Sequence, residues 1–129
     1  MGLFGRDKEK DAAAQSEVDR LLALPLPDLA AEVMGAFGPD GLQTRSGHRQ
    51  GPVEVANWLI ASYSKSVRFR QPLLGPTIEA LEALNQAGLL QRRSFGGPNS
   101  NASTYHPTRA GEEALAAGDV RDRLNAAGG

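Results

Sequence analysis

Cysteine is missing altogether from this chain of 129 residues, and with it go disulfides, thiolate metal sites and thiol nucleophiles. A reducing compartment suits such a chain, and the cytoplasm is the expected location. Long apolar runs are missing too. No stretch approaches the roughly 20 residues that a membrane helix needs, so no membrane partner is expected. The opening Met1-Gly-Leu-Phe-Gly-Arg6 is too short an apolar stretch for a signal peptide, and Arg6 stands where a myristoylated start requires Ser or Thr. Histidine is scarce, with only His48 and His106, and no Asp, Glu or His near either has metal-ligand spacing. Catalytic groupings are equally thin. Ser62 and Ser64 lack a base and an orienting acid, Glu79 and Glu82 read as an ordinary helical pair, and Gly96-Gly97 lacks the lysine and the context of a phosphate loop. The chain is therefore expected to be a binding module without a cofactor and not an enzyme.

What is present is an uneven distribution of charge. The net charge is −1, but residues 1–43 hold 4 basic and 8 acidic groups, residues 44–109 hold 8 and 3, and residues 110–129 hold 2 and 4. The positive charge is concentrated in the middle of the chain. A duplex nucleic acid would meet such a region favourably, although a solvated surface reaches similar imbalances without purpose.

The length fits one domain with a modest core. Residues 1–14 are charged and Ala-rich and are expected to be a disordered leader or a frayed helix start, with one domain over 15–126 and a frayed tail at 127–129. From Ser16 the spacing of Val18, Leu21, Leu22 and Leu24 predicts a helix, which Leu24-Pro-Leu-Pro27 stops. A second helix runs from Asp28 to about Phe37 on Leu29, Val33, Met34 and Phe37, and Gly38-Pro-Asp-Gly41 turns the chain. The polar, Gly-rich stretch 38–51 carries Arg45, His48 and Arg49 and reads as a loop. Pro52 opens a third helix, to about Tyr63, with Val55, Ala56, Leu59 and Ile60 on one side and Trp58 off that stripe. Trp58 is either a partly buried core residue or a partner contact. Residues 64–75 form a basic segment with Lys65, Arg68 and Arg70 around Val67 and Phe69.

Pro76 is expected to open the fourth helix, with Ile78, Leu81 and Leu84 on its apolar side and Gly88 as a left-handed cap. Leu89 to Phe95 and Ala102 to Pro107 read as paired strands joined by the polar tip Gly96-Gly-Pro-Asn-Ser-Asn101. Thr108 caps a helix reaching Leu115 and ending at Gly118, and residues 119–124 add a short one. The fold class is thus α+β and mostly helical, with about five to six helices and a two-stranded antiparallel hairpin. The expected core sets Ile78, Leu81, Leu84, Leu89 and Tyr105 against Leu59, Ile60 and Leu115.

Two short motifs flank the hairpin. Leu84-Asn-Gln-Ala-Gly88-Leu89 precedes it, and Tyr105-His-Pro-Thr108-Arg-Ala-Gly111 leads out of it. Together, at this separation, they resemble the winged-helix superfamily, in particular MarR-type and PadR-type bacterial regulators. The resemblance covers about a third of the chain and makes residues 52–117 the core winged unit. It implies a cytoplasmic, bacterial-like transcription regulator built on a helix-turn-helix, with the hairpin as wing. The helix before the recognition helix is then either the short segment 68–75 or the helix from Pro52 with a long turn after it.

On that reading the nucleic-acid-binding candidates are Lys65, Arg68, Arg70, Thr77, Arg92, Arg93, Asn99, Asn101 and Arg109. The cations suit phosphates, the tip asparagines suit a backbone lying along the wing, and strand alternation lets only one of Arg92 and Arg93 face a given partner. The helix from Pro76 offers Thr77, Glu79, Glu82 and Gln86 but no Lys or Arg, which keeps a second reading open. In that reading the same fold binds a protein, or pairs as a homodimer through residues 16–37. A small-molecule sensor is a third reading and requires a pocket.

Overall fold

The computed structural model describes residues 2–38, 41–42, 51–64, 66–94 and 103–128. Its elements are helices α1 (Gly2–Ala23) and α2 (Leu26–Met34), a 3₁₀ turn (Gly35–Phe37), helices α3 (Pro52–Ile60) and α4 (Val67–Gln86), strands β1 (Leu90–Ser94) and β2 (Ser103–Pro107), and helices α5 (Arg109–Ala117) and α6 (Val120–Gly128). The mixed, mostly helical α+β class with one antiparallel pair of strands is as expected.

Helix α4 is the central element, with α1, α2 and α3 packed on it and β1 leaving from its end, while α6 lies against α2. The apolar spacing explains that place. Phe69, Leu73, Thr77, Ala80, Leu81 and Leu84 are buried and follow one another by one helical turn or close to it, so a single stripe faces three neighbours.

Helix α4 also corrects the expected start at Pro76. It begins at Val67, with Ser66 as N-cap accepting the Arg68 amide, and runs through Pro72 and Pro76. Each proline removes one helical hydrogen bond and costs about 3 kcal/mol in a helix interior. Burying Phe69 and Leu73 contributes about 1.5–3 kcal/mol each, and only a continuous helix keeps both in line with Thr77 and Leu81. Together these burials contribute about 3–6 kcal/mol, the same size as the cost of about 6 kcal/mol for two prolines, so the stripe offsets the local signal for a break. The same geometry turns Ile78 outward, 40% exposed, and seats Thr77 in its place.

Both ends are helical. Within residues 1–14, expected to be a disordered leader or a frayed helix start, α1 starts at Gly2, and Ala14, Val18 and Leu21 are fully or almost fully buried at helical spacing. Ala14 is too small to register as a core residue in sequence. Helix α6 continues to Gly128, past the expected stop at residue 124, with Val120 and Leu124 buried.

The join between α4, the hairpin and α5 is the most tightly determined part of the fold. Gly88 has φ +81°, the left-handed conformation that ends a helix, and the Leu89 amide returns to the Leu84 carbonyl at 2.9 Å. The Thr108 hydroxyl donates to the Gly88 carbonyl at 2.6 Å and accepts the Gly111 amide at 3.0 Å. One side chain thus caps α5 and ties it to the end of α4. Strands β1 and β2 pair with Leu90 opposite Pro107, Arg92 opposite Tyr105 and Arg93 opposite Thr104. Leu81, Leu84, Leu89, Tyr105 and Ile60 are buried as expected, while Leu59 and Leu115 are partly buried against the core, as is Trp58.

Candidate nucleic-acid interface

The hairpin sorts the two wing arginines by face. Arg92 lies opposite Tyr105 and both turn toward α4, where Glu82 receives them. The Tyr105 hydroxyl donates to Glu82 Oε1 at 2.6 Å, and Arg92 Nη1 donates to the same oxygen at 3.0 Å. The Arg92 amide also donates to Asn85 Oδ1 at 3.3 Å. Burial, and then the bond to Glu82, push the Tyr105 phenol up to about 12, so it remains a donor at every physiological pH. Arg92 is therefore held as part of the hinge between β1 and α4.

Arg93 points the other way, beside Thr104 and on the face that also carries Gln91 and His106. No carboxylate among the described residues pairs with it. His106 Nε2 is 3.0 Å from the Thr104 hydroxyl. Burial, and then the neighbouring Arg93 charge, hold the imidazole below its ordinary 6.5. On this outer face Gln91 and Arg93 are exposed donors, whereas Thr104 is buried and His106 half-buried.

From Val67 on, the basic segment forms the first turns of α4. Arg68 is mostly exposed, bridged to Asp11 of α1 at 3.0 Å, and its guanidinium lies 4.5 Å from the Phe69 ring centroid. Such an exposed pair is worth about 1 kcal/mol or less. Arg70 turns inward between α3 and α4, where Nη1 donates to Asn57 Oδ1 at 3.2 Å and Nε is buried without a partner. Arg109 is almost wholly exposed at the start of α5, with Glu113 at 3.8 Å.

Thr77 is removed from the candidates. It is 1% exposed, and its hydroxyl sits in the core without a hydrogen-bond partner, so no nucleic acid reaches it. Lys65, Asn99 and Asn101 lie outside the described residues, as do Arg45, His48 and Arg49. Gln71 is a further candidate. Gln71 is exposed one turn after Arg68, and Arg68, Gln71, Gly75, Ile78 and Glu79 make the outward stripe of α4. Gln71 was visible in sequence as the i+3 neighbour of Arg68, but only once residues 67–75 are read as helix.

No helix among the described residues is long and apolar enough to cross a membrane. Comparison with family models, with curated proteins and with solved structures finds no match for this chain.

Proposed function

We propose that the chain is a winged-helix protein that binds duplex DNA, with the first turns of α4 directed at the groove and the outer face of the hairpin against the backbone. The observation that carries this reading is that α4 begins at Val67. A helix starting at Pro76 would present only Thr77, Glu79, Glu82 and Gln86. The longer helix presents Arg68 and Gln71 on its outward side instead, and Arg and Gln are residue types that read base edges. Its positive N-terminal end further favours phosphate. The hairpin supports the reading through Arg93, which pairs with no carboxylate among the described residues. A regulatory role in transcription follows from the resemblance of the Leu84–Leu89 and Tyr105–Gly111 motifs to MarR-type and PadR-type regulators.

Fluorescence anisotropy with a generic labelled duplex over a salt series tests this directly. Binding is expected at low salt and is expected to weaken steeply as salt rises. Arg93→Ala should lower the slope of log affinity against log salt by about 1, whereas Arg92→Ala should change it much less because Glu82 already neutralises that cation. Absence of binding at the lowest salt would remove the proposal, and equal effects of the two substitutions would remove the assignment of faces.

A second reading is favoured by a different observation. Leu22 of α1 and Leu26 of α2, on either side of the elbow between the two helices, are 44% and 42% exposed, and the second half of the outward α4 stripe is Ile78 and Glu79, without a cation. A protein partner, or a second copy of the chain meeting through residues 16–37, would cover the first of these. Concentration-dependent sedimentation that is lost with Leu22→Glu, in a chain without DNA affinity, would favour this reading.

A further inference from the structure

Between α1 and the turn leading from α3 into α4 lies a cleft of about 310 Å³, lined by Lys10, Ala13, Ala61, Ser62, Tyr63 and Ser64. Every polar side chain among its described lining residues can donate, comprising one ammonium, two serine hydroxyls and a phenol, and none of these residues carries a carboxylate. The Ser64 oxygen already accepts the Ser66 amide at 3.0 Å, which leaves its hydrogen to donate outward. Asp11, the acid next to Lys10 in sequence, is committed to Arg68. The rest of the wall is apolar, with two alanine methyl groups and the ring of Tyr63, which is 42% exposed.

We infer that this cleft binds a phosphate ester with a compact apolar or aromatic body. The phosphate oxygens take up Lys10, Ser62 and Ser64, and the body lies against Tyr63, Ala13 and Ala61. Phosphate fits better than a carboxylate because its three acceptor oxygens match a set of separate donors around a single charge. The cleft lies between α1 and the turn before α4, next to the Asp11–Arg68 pair that joins α1 to α4. The inference does not depend on duplex binding.

The test is an amide-resolved NMR titration of the full chain with phenyl phosphate, with phenol and benzoate as controls at matched ionic strength. Saturable shifts are expected at the amides of Ala13 and of Ala61 to Ser64, strongest for phenyl phosphate and absent for phenol. Lys10→Ala should weaken the binding by roughly three- to fivefold, as befits an exposed ion pair, and Lys10→Ala with Ser62→Ala should abolish it. Both side chains are exposed, and unchanged amide positions elsewhere report an intact fold. No saturable shift, a shift indifferent to the double substitution, or an equal response to phenol would each overturn the proposal. A duplex that moves the same amides and displaces phenyl phosphate would also overturn it, by making backbone phosphate the occupant.

Discussion

A Cβ added at Gly111 would stand 2.0 Å from the Leu89 carbonyl oxygen and 2.9 Å from the end of Met34. The first of these is backbone and cannot give way. Thr108 draws the start of α5 onto the end of α4 through the Gly88 carbonyl, and only a residue without a side chain lets the two come so close. Gly111→Ala is therefore expected to destabilise by about 3 kcal/mol or more, since the strain falls on main chain. Gly75 is the contrast. Outside its chain neighbours a Cβ there meets nothing within 4 Å, and the helix-propensity gain of roughly 0.5–1 kcal/mol is opposed by the Pro76 ring, which crowds a side chain before it, so Gly75→Ala should shift stability by less than about 1 kcal/mol. Urea midpoints of the two variants, with unchanged slopes, check both expectations. His106 gives a pH effect at the same scale. Its folded value is held below the ordinary 6.5, so unfolding takes up a proton once the pH drops below 6.5. Its stabilising contribution is complete above that value and declines as pH falls toward the folded value. The loss in urea midpoint between pH 8 and pH 5 should be smaller in His106→Gln than in the unsubstituted chain, and an equal loss would exclude this role.

At the scale of elements, legibility depended on whether local and tertiary preferences agree. The hairpin and its flanks were readable because Gly88, Thr108 and Gly111 each have a local conformational role that sequence displays. The start of α4 was not readable, because Pro72 and Pro76 argue locally for a break and the stripe that overrides them extends from Phe69 to Leu84. The candidate interface suffered accordingly. Arg68 and Arg70 stand out in sequence by charge alone, but their opposite orientations, one outward and one turned to Asn57, follow from helical phase, which also sets Thr77 in the core. The beginning of α1 was hidden because Ala14 contributes a contact and hardly any hydrophobic signal. A continuous α4 has a testable consequence. Pro72 is exposed and denies the Arg68 carbonyl its usual donor, so Pro72→Ala should restore that bond and raise stability by up to about 3 kcal/mol. If residues 64–75 were a loop, the same change would lower the melting temperature by loosening the unfolded chain. Thermal unfolding of the single variant separates the two cases by sign.

For the whole molecule, one core unites elements from both ends of the chain. Ala14, Val18 and Leu21 of α1, Leu29 and Val33 of α2, the α4 stripe, Tyr105 of β2 and Val120 of α6 belong to a single buried cluster. Ion pairs follow the same pattern. Arg20 bridges Glu17 and Glu32, tying α1 to α2, and Arg121 meets Asp28 at 2.9 Å, tying α6 to α2. Exposed pairs of this kind add little, so cohesion rests on the apolar contacts, and a core shared this widely should unfold as one cooperative unit. Trp58 offers a local probe, since its ring lies against Gly35 at the edge of the core, whereas far-UV dichroism reports all the helices together. The two transitions are expected to coincide in urea. Leu21→Ala, made on α1 in a fully buried position, should cost about 2–5 kcal/mol and move both transitions by the same amount, although α1 and Trp58 are far apart in sequence. Loss of helical signal at lower urea than the Trp58 transition, with the latter unmoved by Leu21→Ala, would mean that α1 folds apart from α3 and α4. The Asp11–Arg68 pair and the cleft beside it would then lose the support on which both depend.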